Sequence, residues 1–152
     1  MLKILDRAVE VLLGLIAVAL VATAFGQVIA RYAFSRPFAW LLEVDVLLLV
    51  WATMFAGYVG VRRGAHMAVD SFVASWSGHS RRRLRIANHL LCLAFVALCG
   101  WKSHEVIDAM EGMTFTSIPI GQPAMYWALP VGCALMALAL ASELAAMFRG
   151  RG

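Results

Sequence analysis

Histidine and acidic residues are the side chains of this sequence best suited to ligand or proton chemistry, and they lie at the borders of apolar segments. His66 follows two arginines, and His89 lies in the first turn of a later apolar segment. Two histidines on neighbouring helices can hold a haem iron, as in membrane anchors of respiratory enzymes. The depths fit that alternative poorly, because His66 lies beyond the arginine border and His89 lies roughly 6 Å from Arg85 along a helix.

The carboxylates indicate an accessory role rather than ion coupling. A carrier that couples ions by itself places ionisable groups near the middle of the membrane. Glu10, Glu43 and Asp45 instead lie near the ends of apolar segments. The main polar side chains within the segments are Thr23, Gln27 and Thr53. The sequence therefore predicts a scaffold with no catalytic, substrate-binding or metal site and no cofactor, and not an enzyme.

The composition places these residues in a membrane protein. Of 152 residues, 62% are hydrophobic and 14% are charged, and the mean hydropathy is +0.81. That leaves too little polar surface to coat a water-soluble domain. Because about 20 apolar residues in a helix cross a bilayer, we predict one all-α domain over residues 1–152 with four transmembrane helices. The predicted spans are about 9–31, 41–62, 85–106 and 124–147.

The lysines and arginines predict the orientation of these helices. With four crossings, ten of the thirteen basic residues share one side, and only Arg31, Arg36 and Lys102 lie on the other. Short loops rich in lysine and arginine stay in the cytoplasm. Both termini are therefore expected to be cytoplasmic, and the two hairpins that join helices one to two and three to four are expected to face outward.

The segment between helices two and three has the pattern of a helix lying on the membrane surface. Val69, Phe72, Val73 and Trp76 share one face of a helix over about residues 67–77. Such an apolar stripe beside basic residues suits either the headgroup layer of anionic lipid or a partner protein. The predicted lipid-surface residues are Phe72, Trp76, Arg81, Arg82, Arg83 and Arg85.

Small residues along helix two suggest a contact with a larger membrane protein. Ala52, Ala56, Gly60 and Gly64 recur every four residues. Small residues let helix backbones approach closely in lipid. Packing among the four helices of this chain is the alternative. The predicted surface for a large partner comprises Ala52, Ala56, Gly57, Gly60 and Gly64.

Several other residues are interpreted as structural anchors. His66 is expected to help turn the chain into the surface helix, with pH sensing as the lesser alternative. Glu43 and Asp45 are interpreted as interfacial anchors or partners of Arg31 rather than sodium ligands. The full set of predicted anchors is Arg31, Trp40, Glu43, Trp51, Arg63, His66, Asp70, Pro130 and Gly132.

Two stretches resemble the small membrane subunit, the DctQ-like family, of tripartite ATP-independent periplasmic (TRAP) transporters. They are "RYAFSRPFAWLLEVDVLLLVWATMFAGYVGVRRGAHMAVDSF" and "TSIPIGQPAMYWALPVGCALM". The similarity lies in the order and spacing of Arg31 and Tyr32, Trp40 and Glu43, Trp51, Phe55 and Gly57, Arg63, Ala65, His66, Val69 and Asp70, and Leu129 to Gly132.

The resemblance implies a multi-pass subunit of the bacterial inner membrane that assembles with a large multi-spanning subunit. In that family a periplasmic binding protein delivers the substrate, usually an organic acid anion, and a sodium gradient drives uptake. The large subunit is expected to hold the transport sites and move by an elevator-like mechanism, while the small subunit braces it. An orphan structural membrane protein is the remaining alternative. Nucleic acid is not an expected partner.

Overall fold

The computed structural model describes residues 2–33, 38–63 and 78–148, and these segments are almost entirely helical. Four of the helices are long and apolar enough to cross a membrane. The predicted fold class, an all-α protein with four transmembrane helices, is thereby confirmed. The helices are α1 (Leu2–Ala33), α2 (Ala39–Arg62), α3 (Gly78–Ala109), the short α4 (Pro123–Tyr126) and α5 (Ala128–Phe148).

Two of the long helices extend well beyond the spans expected from hydropathy. Helix α1 includes the charged segment from Lys3 to Glu10. Helix α3 begins at Gly78, so the cluster from Arg81 to Arg85 lies within its first turns. Helical backbone satisfies its own hydrogen bonds in lipid and in the headgroup layer alike. Arginine, lysine and glutamate are also good helix formers, so the helices do not end where the apolar residues do.

The four long helices form a row in the order α1, α2, α5, α3. Among the described residues, the backbone of α1 approaches only that of α2, and the backbone of α5 lies between those of α2 and α3. We call the end of the row where α1 and α3 begin and α2 and α5 end the basic end. The opposite end, where the connections after α1 and α3 lie, is the hairpin end. Among the described helices, both broad faces of this row remain open to lipid or to another protein.

The row is held together by a small apolar core. Val9, Ile16, Phe55, Tyr58 and Ala139 form one buried cluster contributed by α1, α2 and α5. Many large apolar side chains point outward instead, as expected where lipid tails rather than water surround the helices. Close packing and polar contacts must therefore supply much of the specificity of the row.

The contact between α2 and α5 depends on a glycine. A Cβ atom built on Gly132 would lie 2.6 Å from the Cβ of Met54, which is nearer than two non-bonded carbon atoms approach. Only glycine therefore permits this separation of the two helices. The helical path into α5 is interrupted at Trp127. Pro130 explains the break, because proline has no N–H to donate to the carbonyl of Tyr126.

Candidate functional site

A polar cluster joins the basic ends of α1 and α2. Arg62 donates from Nε and Nη2 to the two carboxylate oxygens of Asp6, at 2.8 and 2.6 Å. The Tyr58 hydroxyl donates to the same carboxylate at 2.5 Å, and this tyrosine is only 1% exposed. Because α1 and α2 are antiparallel, the second turn of α1 meets the last turn of α2. The bidentate geometry sets the register between the two helices.

Further contacts continue this cluster across the row. Arg63 donates to Glu10 at 2.9 Å in a pair that is largely exposed. Arg62 also reaches the Ser142 hydroxyl of α5 at 3.5 Å. Ser142 is followed by Glu143, which pairs with α3. We call this set the polar belt; it consists of Asp6, Glu10, Tyr58, Arg62, Arg63, His89, Ser142 and Glu143, and it links all four long helices.

His89 is the buried member of the polar belt on α3. Its side chain is 5% exposed, with Nδ1 at 2.9 Å from the carbonyl oxygen of Arg85 and Nε2 at 3.2 Å from Glu143. Both ring nitrogens are thus occupied by protein atoms. The haem-anchor alternative required a free nitrogen on this ring, and the geometry does not favour it. His66, the second proposed haem ligand, lies outside the described residues.

A second polar cluster lies between α1 and α2, closer to the hairpin end. The Thr23 hydroxyl contacts one oxygen of Asp45, and the Gln27 amide donates to the other at 2.8 Å. These are the same polar side chains that interrupt the apolar segment of α1. An unpaired polar group in lipid costs several kcal/mol. The cluster therefore both satisfies Asp45 and fixes the pairing of α1 with α2.

Glu43 holds the connection between α3 and α4 against the start of α2. Its two carboxylate oxygens accept hydrogen bonds from the backbone N–H groups of Thr116, Ser117 and Ile118, at 2.9 to 3.1 Å. The connection also carries an isolated bridge between Thr114 and Gly121. A charged acceptor facing several N–H groups makes strong hydrogen bonds, so Glu43 orders this loop at the hairpin end.

Replacing Glu43 with glutamine should loosen the loop. The amide offers one neutral acceptor oxygen in place of two charged ones. Hydrogen bonds to charged groups contribute about 1.5–3 kcal/mol each, so amide hydrogen exchange at Thr116 to Ile118 should accelerate by at least roughly tenfold. Glu111→Gln is the control, since this exposed side chain lies in the same loop. Equal protection in both variants would show that Glu43 does not order the loop.

The predicted pairing of Arg31 with Glu43 or Asp45 has no counterpart in the described part of the chain, where both carboxylates have other partners. Arg31 is exposed in the last turn of α1 and lines a groove with Tyr32 and Phe38. Sequence reasoning missed the Asp45 cluster. The signal was available, because Gln27 lies six residues before the end of α1 and Asp45 six residues after the start of α2.

The small residues of α2 do not all face the same side of the helix. Gly57 faces α5, since a Cβ there would lie 3.0 Å from the sulfur of Met136. Ala52 packs against the buried core cluster. Ala56 is exposed and Gly60 is half-buried. Part of the line therefore serves internal packing, and Ala56 is its clearly open member.

The two tryptophan anchors lie at different depths of α2, Trp40 in its first turn at the hairpin end and Trp51 near its middle. Trp40 is about half exposed, and its ring centroid lies 6.4 Å from that of Phe38. Trp51 packs on Phe55 with ring centroids 5.6 Å apart, and its indole N–H donates to the Ala124 carbonyl at 3.3 Å. Trp51 thus ties α2 to α4.

The remaining predicted residues are only partly described. Arg83 is exposed and Arg85 is half-buried near the start of α3. Arg81 and Arg82 belong to the same helix, but their side chains are not described. The predicted surface helix over about 67–77 lies outside the described residues, together with Gly64, His66, Asp70, Phe72 and Trp76.

Comparison with known proteins identifies a family for this chain. Residues 20–150 match the family described as tripartite ATP-independent periplasmic transporters, DctQ component. A curated relative is the C4-dicarboxylate TRAP transporter small permease protein DctQ of Vibrio cholerae, which is 29% identical over 93 residues. That match covers 61% of this chain and 40% of the relative.

The family match begins within α1 and extends through α2, α3, α4 and α5. It includes the cluster of Thr23, Gln27 and Asp45, and it covers most of the row rather than a single hairpin. The chain belongs to the DctQ component family of tripartite ATP-independent periplasmic transporters.

Proposed function

We propose that this chain is the small permease subunit of a sodium-driven, binding-protein-dependent importer of organic acid anions. In this role it lies in the bacterial inner membrane, with both termini in the cytoplasm, and braces the large transport subunit. A periplasmic binding protein delivers the substrate to that subunit. The C4-dicarboxylate named for the Vibrio cholerae relative belongs to the same class of anions.

The observation that carries the scaffold role is the use of the carboxylates within the described helices. Asp6, Glu10, Asp45 and Glu143 each contact a side chain of another helix of this chain, and Glu43 binds the loop before α4. A coupling carboxylate must exchange its partner for an ion or a proton during transport. Carboxylates committed to interhelical contacts suit a rigid support better than a moving carrier.

Reconstitution of uptake tests this function. The large subunit is placed in proteoliposomes with or without this chain, the binding protein is added outside, and uptake of radiolabelled C4-dicarboxylates and other organic acids is measured under an inward sodium gradient. We expect uptake only when all three components and sodium are present. Full sodium-driven uptake without this chain would contradict the proposed role.

We further propose that the open side of α2 around Ala56 contacts the large subunit. Ala56 is exposed in the row, and small residues permit the close approach that helix association in lipid requires. Ala52 and Gly60 lie one turn away on either side. The contact would place the large subunit against a broad face of the row without disturbing the packing of α2 on α5.

Replacing Ala56 with tryptophan should therefore remove most of the large subunit that purifies with the tagged chain. The indole would hold α2 apart from the contacting helix of the large subunit, while the packing of α2 against the other helices of this chain would be unaffected. Ala97→Trp is the matched control, because Ala97 is an exposed alanine on α3 at the far edge of the row. If both variants retain the large subunit equally, its contact lies elsewhere.

A further inference from the structure

The first turns of α1 carry two cations whose neighbouring carboxylates are already bound. Lys3 and Arg7 lie one turn apart and are exposed. Asp6 and Glu10 are the acidic residues at helical spacing from them, but these pair with Arg62 and Arg63 of α2. No ion pair engages Lys3 or Arg7 within the described segments. This face of α1 therefore presents uncompensated positive charge.

An apolar strip continues from these cations along the same face of α1. It comprises Ile4, Ala8, Val11, Leu12 and Leu15, which line one shallow groove with Lys3 and Arg7. The strip is well exposed, with Val11 at 56% and Leu15 at 62%. From Ile4 to Leu15 it rises roughly 16 Å along the helix, close to the roughly 15 Å depth of one leaflet of the hydrocarbon core.

We propose that this face of α1 binds one anionic phospholipid. Lys3 and Arg7 hold the headgroup phosphate, and an acyl chain lies along the strip from Ile4 to Leu15. The charge and the apolar length match a lipid of the leaflet that the basic end faces. A partner helix fits less well, because helix contacts in lipid favour small residues and only Ala8 in the strip is small.

Native mass spectrometry of the full chain in detergent tests the site. Dioleoylphosphatidylglycerol is titrated against dioleoylphosphatidylcholine, and bound lipid is counted for each charge state. We expect the chain to retain phosphatidylglycerol in preference. The double variant K3Q/R7Q should weaken that binding roughly thirty-fold, since each basic residue near anionic lipid contributes about 1 kcal/mol.

The control variant R31Q/K102Q removes the same charge from exposed residues at the hairpin end. It should keep the preference for phosphatidylglycerol. Equal loss in both double variants, or no preference in the unaltered chain, would overturn the site. Displacement of the lipid by inorganic phosphate would identify a free-anion site instead. Retained lipid in K3Q/R7Q, with loss of a protein that purifies with the chain, would assign the face to that protein.

Discussion

Replacing Arg62 with methionine should lower the free energy of unfolding of the detergent-solubilised chain by about 2–3 kcal/mol. The side chains of Arg62 and Asp6 are 24% and 25% exposed, and they form a bidentate pair. Removing one partner of such a pair leaves a charge without compensation in a poorly solvated place. Methionine retains the apolar length of the side chain, so the loss reports mainly the missing ion pair.

Arg63→Met is the matched control for this prediction. Arg63 is the neighbouring residue and also pairs with a carboxylate of α1, but its side chain is 71% exposed and that of Glu10 is 44% exposed. Exposed ion pairs contribute about 0–1 kcal/mol. Both variants are measured by reversible unfolding in a denaturing detergent. A loss in Arg62→Met no larger than that in Arg63→Met would show that the less exposed pair of Arg62 and Asp6 contributes no more stability than the exposed pair.

Replacing Gly132 with alanine should lower the free energy of unfolding by about 2 kcal/mol. The added methyl group would meet the Cβ of Met54 at 2.6 Å, so α2 and α5 must separate or shift. Forcing extra atoms into a packed contact costs about 1–3 kcal/mol. The centre of the row would loosen, because α5 is the helix that joins α2 to α3.

Replacing Gly26 with alanine, the matched control, should not lower the free energy of unfolding. A Cβ atom at Gly26 meets nothing within 4 Å. Alanine is preferred over glycine within a helix by about 1 kcal/mol, so Gly26→Ala should leave the isolated chain unchanged or slightly more stable. Destabilisation of both variants to the same extent would indicate that the close approach at Gly132 is not required.

The transmembrane helices were predictable because the bilayer determines how many apolar residues a helix needs to cross it. The ends of these helices were not predictable, since hydropathy falls at Glu10 and Arg85 while the helices continue through the charged residues beyond them. The order of the four helices in the row could not be predicted from the sequence either. Apolar side chains face lipid and neighbouring helices alike, so periodicity does not identify which helices are adjacent.

The polar contacts were recognisable only in part. Gln27 and Thr23 stood out as polar residues in an apolar segment, but their contact with Asp45 was not predicted, although Asp45 lies at the same depth from the hairpin. Glu43 gave no such signal, because its partners are backbone N–H groups of a loop more than 70 residues away. The pairing of His89 with Glu143 likewise depends on α5 lying beside α3.

Affinity purification tests the assembly of this chain with a large transport subunit most directly. The chain is tagged at its C-terminus, extracted from native membranes in mild detergent, and analysed by quantitative mass spectrometry. We predict recovery of one large multi-spanning protein in stoichiometric amount. Recovery of flavin or iron-sulfur subunits, or of the chain alone, would contradict the proposal that it is the small permease subunit of a transporter.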